Sequence, residues 1–407
     1  MNKLGRRNTR RAVLKTLAAA TGVSAAGMAL PRWALAQSGK VRIGLMLPYT
    51  GTFAQLGVAI TNGFKLAVAE EGAKEGGKLS GRELEYVTLD DESDPAKAAD
   101  RANQLVTRDK VDVLLGTVHS GVQMGMVKIA RESGVLHIIP NAGVAAATGE
   151  LCAPNIFRTS FANAQTTYPM GKVLADRKVR NVVTLTWKYA AGEEAVQGFR
   201  DSFTKGGGKI VKELWLPFPN VEFQSLLTEI ASLKPDAVFV FFAGGGAAKF
   251  LRDYQAAGLK AKIPLYGSGF LTDGVLEATG DSAEGVETTL HYGDGIETPR
   301  NNAFRVAYVR SYKIAPDVYA MQGYDAGLLL AAGMKAVKGD IGRKKEMIAA
   351  MEKAEIDSPR GKWRMSRSHN PVQDMYLRKV AGKENKVTGV AMKALDYPPA
   401  TTCKMPG

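Results

Sequence analysis

Residues 40–73, KVRIGLMLPYTGTFAQLGVAITNGFKLAVAEEGA, decide the fold. The opening KVRIGLMLP is rich in β-formers and is punctuated by Pro48, which reads as a short buried strand. From Ala54 to Ala73 the spacing changes to that of a helix, with Ile60, Phe64, Leu66 and Ala67 near one face. A strand feeding such a helix is half of a βαβ unit. Working outward, ELEYVTLD is a strand, Pro95 opens the helix PAKAADRANQLVTRD, VDVLLG is a strand, and a helix over 121–132 leads to the strand GVLHIIP. The rhythm then restarts. VRNVVTLTW precedes a helix over 192–205, KIVKELWLP one over 222–233, DAVFVFF one over 246–257, and IPLYGSG a short one from Leu271. Two such cycles predict two α/β lobes, each a mostly parallel sheet covered by helices on both faces. The boundary between them falls at 155–165, in APNIFRTSFANAQ.

After Gly285 the pattern loosens. Helices over 301–312, 318–338 and 342–353 precede a polar stretch, GKWRMSRSHNPVQDMYLRKV. That is too much material to be spare, so the chain is expected to return to the first lobe near 290 and cross again near 365. Three crossovers side by side would form a hinge. Periodicity supports the lobes but does not by itself give the crossings.

Composition narrows the class. At 407 residues, with 45% apolar and 23% charged side chains, the chain is an ordinary globular one of about two domains. Two Cys and 4 His are too few for a thiolate cluster or a zinc module, so no metal and no cofactor are expected. The net charge of +14 is uneven. Lys3, Arg6, Arg7, Arg10, Arg11, Lys15 and Arg32 supply seven positive charges before residue 37, with no acidic side chain among them. The rest is interspersed with carboxylates and lacks the basic stripe that a nucleic acid requires.

The first 36 residues read as a secretory signal: a basic segment to Lys15, an uncharged stretch over 16–31, and Ala34-Leu35-Ala36 before Gln37. The uncharged stretch is shorter than the roughly 20 residues that span a bilayer. Within the basic segment, TRRAVLK (9–15) resembles the twin-arginine export box, with Arg10 and Arg11 as the pair and Val13 where Phe is usual. The mature chain is expected in the periplasm, soluble and monomeric. In that oxidising compartment Cys152 and Cys403 can pair and tie the tail YPPATTCKMPG back to the middle of the chain.

Catalytic signatures are missing: there is no G-x-x-x-x-G-K-[ST], H-E-x-x-H or G-x-S-x-G, and SFTK (202–205) lacks its companion motifs. The chain is therefore read as no enzyme. Strand ends are more informative, because small ligands sit beyond the C-terminal ends of parallel strands. Those ends are PYTGTFAQLG, GTVHSGVQ, PNAG, TWKYAAG, FFAGGG and YGSGF. Ser120 and Gly121 start a helix, where free N–H groups attract a carboxylate, and His119 could donate a hydrogen bond or carry charge.

Six segments in register carry a resemblance: IGLMLPYTGTFAQLGVAITNGFKLAVAE, LGTVHSGVQMGMVKIARESGV, NIFRTSFANAQ, WKYAAGEEAVQGF, DAVFVFFAGGGAAKFLRDYQAAGL and YDAGLLL. Together, over roughly 41–380, they resemble the periplasmic solute-binding proteins of branched-chain amino acid ABC transporters. The resemblance implies a type I two-lobed α/β fold with three crossovers forming a hinge, closing over a small molecule and presenting it to a membrane permease. It implies a first lobe of 40–158 plus 290–365, a second of 159–289 plus 366–390, and a tail over 391–407. It places the carboxylate contact on His119 and Ser120, further contacts on Asn141, Ala142 and Gly143, an aromatic contact on Tyr189, and another contact on Gly244 or Gly245.

One departure matters. The acidic residue that holds the ligand ammonium in amino-acid binders would fall near Ser268 or Gly269, and no carboxylate is there. An amino acid would then bury an unpaired ammonium, at a cost of several kcal/mol. The expected ligand is a carboxylate without an ammonium. Phe53, Phe161, Trp187, Tyr189 and Phe270 near the cleft suit an aromatic acid, and the sequence also looks like the benzoate-binding subset of the family. An acidic residue arriving from elsewhere, Asp273, Glu287 or Asp294, would restore an amino-acid or amide ligand. A sensor subunit that reports ligand to a receptor, and a secreted enzyme on the same fold, are the competing readings.

Overall fold

The computed structural model describes residues 39–399 and 401–405. The expected export signal over 1–36, with Arg10 and Arg11, lies outside the described residues. The first lobe begins with strand β1 (Val41–Leu47), helix α1 (Ala54–Ala73) and strand β2 (Leu84–Asp90). It continues through α2 (Ala98–Asn103), β3 (Val113–Leu115), α3 (Ser120–Ser133), β4 (Leu136–Ile139) and β5 (Ile156–Arg158). All its strand pairs are parallel, in the order β2-β1-β3-β4-β5. In β1 every residue except Arg42 is buried, as a central strand covered on both faces requires.

The second lobe repeats the plan. It contains α4 (Asn163–Asp176), β6 (Asn181–Lys188), α5 (Ala190–Lys205), β7 (Lys209–Pro217), α6 (Gln224–Leu233), β8 (Ala237–Phe241), α7 (Gly244–Ala256), β9 (Leu265–Ser268), α8 (Leu276–Thr279) and β10 (Glu287–Leu290). Its parallel strands run in the order β10-β9-β8-β6-β7.

The chain then returns. Helices α9 (Pro299–Tyr312), α10 (Val318–Ala336) and α11 (Lys344–Glu352) follow β10, and α10 lies directly on α1. Two glycines set that approach: a Cβ on Gly63 would sit 1.8 Å from the Ala320 carbonyl oxygen, and one on Gly323 2.0 Å from that of Ile60. Only residues without a side chain let the backbones come so close. Strands β11 (Arg364–Met365), β12 (Pro371–Ala381) and β13 (Glu384–Leu395) then extend the second sheet in antiparallel fashion.

The three passages between sheets lie together. Arg158 N–H donates to the His369 carbonyl at 3.0 Å. Arg360 donates to the carbonyls of Ser160 and Thr159 at 3.1 and 2.7 Å, and pairs with buried Asp325 at 2.9 Å. Gln373 donates to Ser160 O at 2.8 Å, and the His291 ring stacks on Phe161. This is a two-lobed α/β architecture on a hinge of three crossovers, as expected.

The β12–β13 hairpin was not read from the sequence. Its turn, Gly382-Lys383, has φ of 59° and 65° at successive residues, the two-residue turn that matches strand twist. The strand continues to Leu395, past residue 390 where the sequence reading starts the tail.

Cys152 and Cys403 are joined, with Cα atoms 5.6 Å apart. Cys152 lies between β4 and β5 of the first lobe, whereas Cys403 follows β13 of the second. The tail is also held by Tyr397, whose ring packs at a tilt on that of Tyr168, 4.2 Å between centroids, and whose hydroxyl donates to Asp201. Closing so long a loop limits the unfolded chain by about 5 kcal/mol at most. The double variant Cys152→Ser/Cys403→Ser is expected to unfold at lower urea, with faster amide exchange concentrated in 396–399 and 401–405. Unchanged exchange there would contradict the tether.

Candidate functional site

The five strand-to-helix junctions at the cleft bring five helix N-termini to one cavity. Phe53 caps α1, Ser120 begins α3, Asn163 begins α4, Tyr189 caps α5 and Ala243 caps α7. All five residues line the same atom-free space of about 310 Å³. Leu56, Val118, Asn141, Gly143, Phe161, Ala191, Phe241, Phe270 and Tyr319 complete its wall. None of these lining residues is ionisable as Asp, Glu, Lys, Arg or His. The convergent helix ends aim partial positive charge at the space, with no cationic side chain among its lining residues.

The polar part of the wall is tightly cross-linked. Asn163 Nδ2 donates to Ser120 Oγ at 3.3 Å and to Glu194 Oε2 at 2.9 Å, while its amide donates to the Gly143 carbonyl at 2.8 Å. Asn141 Nδ2 donates to Gln322 at 2.6 Å. Glu194 stands behind Asn163 and also accepts from the Ala145 amide. Burial raises its carboxyl above the ordinary range, against the hydrogen bonds from Ala145 and Asn163. Three of these contacts, Asn163 with Ser120, Asn163 with Gly143 and Ala145 with Glu194, join the two lobes, so the cavity is seen with the lobes closed around it.

Of the expected contacts, Phe53, Ser120, Asn141, Gly143, Phe161, Tyr189 and Phe270 meet at the cavity. The others do not line it, each for a physical reason. His119 turns back as the cap of α3: its Nδ1 accepts from the Gly121 amide at 3.0 Å, and its ring stacks on Tyr189 at 4.8 Å. Burial lowers its pKa to about 4, so it is neutral at pH 7 and carries no charge toward a ligand. Ala142 is buried, with its amide donating to Thr117 O. Gly244 begins α7 and faces the Thr52 carbonyl of the other lobe, Ala243 taking its place at the wall. Gly245 is exposed with open space around it. Gly269 packs on Arg378 and Leu290 instead. Trp187 is core, packed edge-on against Phe242 and donating to Asn220 O at 2.8 Å.

Three carboxylates that could have entered from elsewhere are held elsewhere. Asp273 pairs with buried Arg378 at 2.7 Å, Glu287 with Arg177 at 2.8 Å, and Asp294 with Arg305 at 3.3 Å. None of the three lines the cavity. Asn163 and Tyr319 are the polar contacts that sequence reasoning missed. Asn163 is in the quoted FANAQ and was legible as a helix start; Tyr319 arrives on α10, from a helix with no sequence link to the cleft.

The comparisons agree with this geometry. The sequence profile of the family described as "Periplasmic binding protein" matches residues 40–385. A solute-binding protein of an ABC transporter from R. palustris, crystallised with benzoate, is 51% identical with a TM-score of 0.87, over 90% of this chain and 100% of that one. A second, from Rhodopseudomonas palustris BisB5 in complex with 3,4-dihydroxy benzoic acid, is 32% identical with a TM-score of 0.82, over 88% and 99%. The Leu/Ile/Val-binding protein homolog 6 of Brucella abortus (strain 2308) is 30% identical over 353 residues, 84% of this chain and 87% of its own length. With the two lobes, the hinge and the cavity between the lobes, these matches show that the chain belongs to the periplasmic binding protein family.

Proposed function

We propose that this protein is the extracytoplasmic solute-binding component of an ABC uptake transporter, and that it captures an aromatic monocarboxylate, benzoate or a hydroxylated relative, by lobe closure. It is a periplasmic binding protein and not an enzyme. The observation that carries the ligand class is the cavity wall: five helix N-termini and no carboxylate side chain. A ligand carboxylate meets the α3 start at Ser120, with Asn163 beside it. The ring lies against Phe53, Phe161, Tyr189 and Phe270, with Asn141 and Gly143 completing the contacts.

Magnitudes separate the candidates. Burying a phenyl ring contributes about 1.5–3 kcal/mol. An isobutyl side chain contributes about 1.5–3 kcal/mol, while its ammonium costs several with no countercharge. The relatives named for Leu/Ile/Val keep a branched-chain amino acid or an amide as the second reading. The ligand-bound, closed form would be delivered to a cognate inner-membrane permease.

A thermal-shift screen of amino acids, amides, benzoates, hydroxycinnamates and aliphatic acids tests this. A ligand at 100 times its Kd stabilises by about 2.7 kcal/mol. Benzoates are expected to give the largest shifts; a larger shift with leucine or valine would reject the reading.

A further inference from the structure

We infer that Tyr319 reads a ring hydroxyl, so that the preferred ligand is a benzoate hydroxylated away from its carboxylate; this rests on the aromatic-carboxylate reading above. Tyr319 is 1% exposed, lines the cavity, and its hydroxyl has no hydrogen-bond partner among the described residues. A buried phenol left unpaired is unfavourable, and buried polar groups are otherwise almost always satisfied. The wall around it is largely apolar, so an acceptor has to come with the ligand.

The surroundings of Tyr319 say which ligand group that is. Its ring packs on Phe270, whose other ring neighbours include Phe161. Gly274 touches both the Tyr319 ring and the Asp317 carboxylate: a Cβ there would lie 3.6 Å from the one and 3.0 Å from the other. Asp317 caps α10, accepting from the Ala320 amide at 2.8 Å. Asp273, paired with Arg378, also acts on the Tyr319 hydroxyl. Burial pushes Asp317 up to about 7, so at neutral pH it is only partly ionised, and the Arg378 guanidinium is taken by Asp273; no cation is left over here for a ligand carboxylate. A neutral hydroxyl needs none. The carboxylate therefore belongs with Ser120 and Asn163, and the Tyr319 O–H donates to the phenolic oxygen of the ligand.

The test is calorimetry of the mature wild-type protein and Tyr319→Phe with benzoate, 3-hydroxybenzoate and 4-hydroxybenzoate. The wild type is expected to bind at least one hydroxybenzoate tenfold or more tighter than benzoate. Tyr319→Phe is expected to remove that advantage, so that the variant binds the hydroxybenzoates no more tightly than it binds benzoate. The wild-type preference is read without any variant, so a poorly folded variant does not shelter the inference. Equal losses for benzoate and hydroxybenzoate would place Tyr319 on the carboxylate and overturn it, as would a wild type without preference. In both cases benzoate still binds and the aromatic-carboxylate reading stands. Binding of leucine with no aromatic acid bound would overturn both.

Discussion

Ser120→Asp is expected to weaken benzoate binding by about a thousandfold or more. The introduced carboxylate would occupy the α3 N-terminus, where an acidic side chain is itself favourable, so the lobes should still fold. It would then face the ligand carboxylate in the cavity between the lobes. Two like charges about 4 Å apart at an effective dielectric of 20 repel by about 4 kcal/mol, which is roughly a thousandfold in affinity. Ser120→Ala provides the scale. It removes one hydrogen bond to a charged group, about 1.5–3 kcal/mol, and should cost roughly ten- to a hundredfold. Calorimetry reads both. Benzoate bound by Ser120→Asp as tightly as by the wild type would remove Ser120 from the carboxylate site.

Gly244→Ala should block closure. Gly244 has φ of 55°, and a Cβ there would lie 2.7 Å from the Thr52 carbonyl oxygen on the opposite lobe. The left-handed backbone costs about 1–2 kcal/mol in either state. The clash with Thr52 exists only when the lobes meet, so it acts on the closed form alone. Ligand shifts the lobes only as far as its differential affinity for the closed state allows. The variant is expected to bind benzoate roughly ten- to a hundredfold more weakly. Small-angle scattering should show a radius of gyration that decreases with benzoate in the wild type and stays at its ligand-free value in the variant at the same concentration. Closure of Gly244→Ala indistinguishable from wild type would contradict the contact.

The sequence made the parallel α/β core legible because short apolar runs buried on both faces, such as 41–47 and 237–241, alternate with periodic helices such as 54–73. Residues 54–73 and the helix after Leu115 were read to within a residue of their observed ends. Ser120, Tyr189 and Phe270 were legible as well, since a parallel sheet places its ligand just beyond its strand ends. What failed were positions fixed by remote contacts. Gly269 looked like a wall residue until Arg378, from β12, filled the space beside it. His119 looked like an anion contact until its own helix took the ring nitrogen. Tyr319 could not be seen at all, because α10 reaches the cleft only through its packing on α1, set by Gly63 and Gly323. The β12–β13 hairpin did carry a signal, Gly382-Lys383 between stretches that hold Val372, Tyr376, Val380, Val387 and Val390, that the polar composition around Trp363 obscured.

The central claim is that a cavity faced by helix N-termini and without a carboxylate selects an acid over an amino acid. Isothermal titration calorimetry of the mature protein against benzoate, leucine, valine and phenylalanine tests it most directly. Benzoate or a hydroxybenzoate is expected to bind at least tenfold tighter than any of the three amino acids, a gap of about 1.4 kcal/mol. Tighter binding of leucine, valine or phenylalanine would contradict the account.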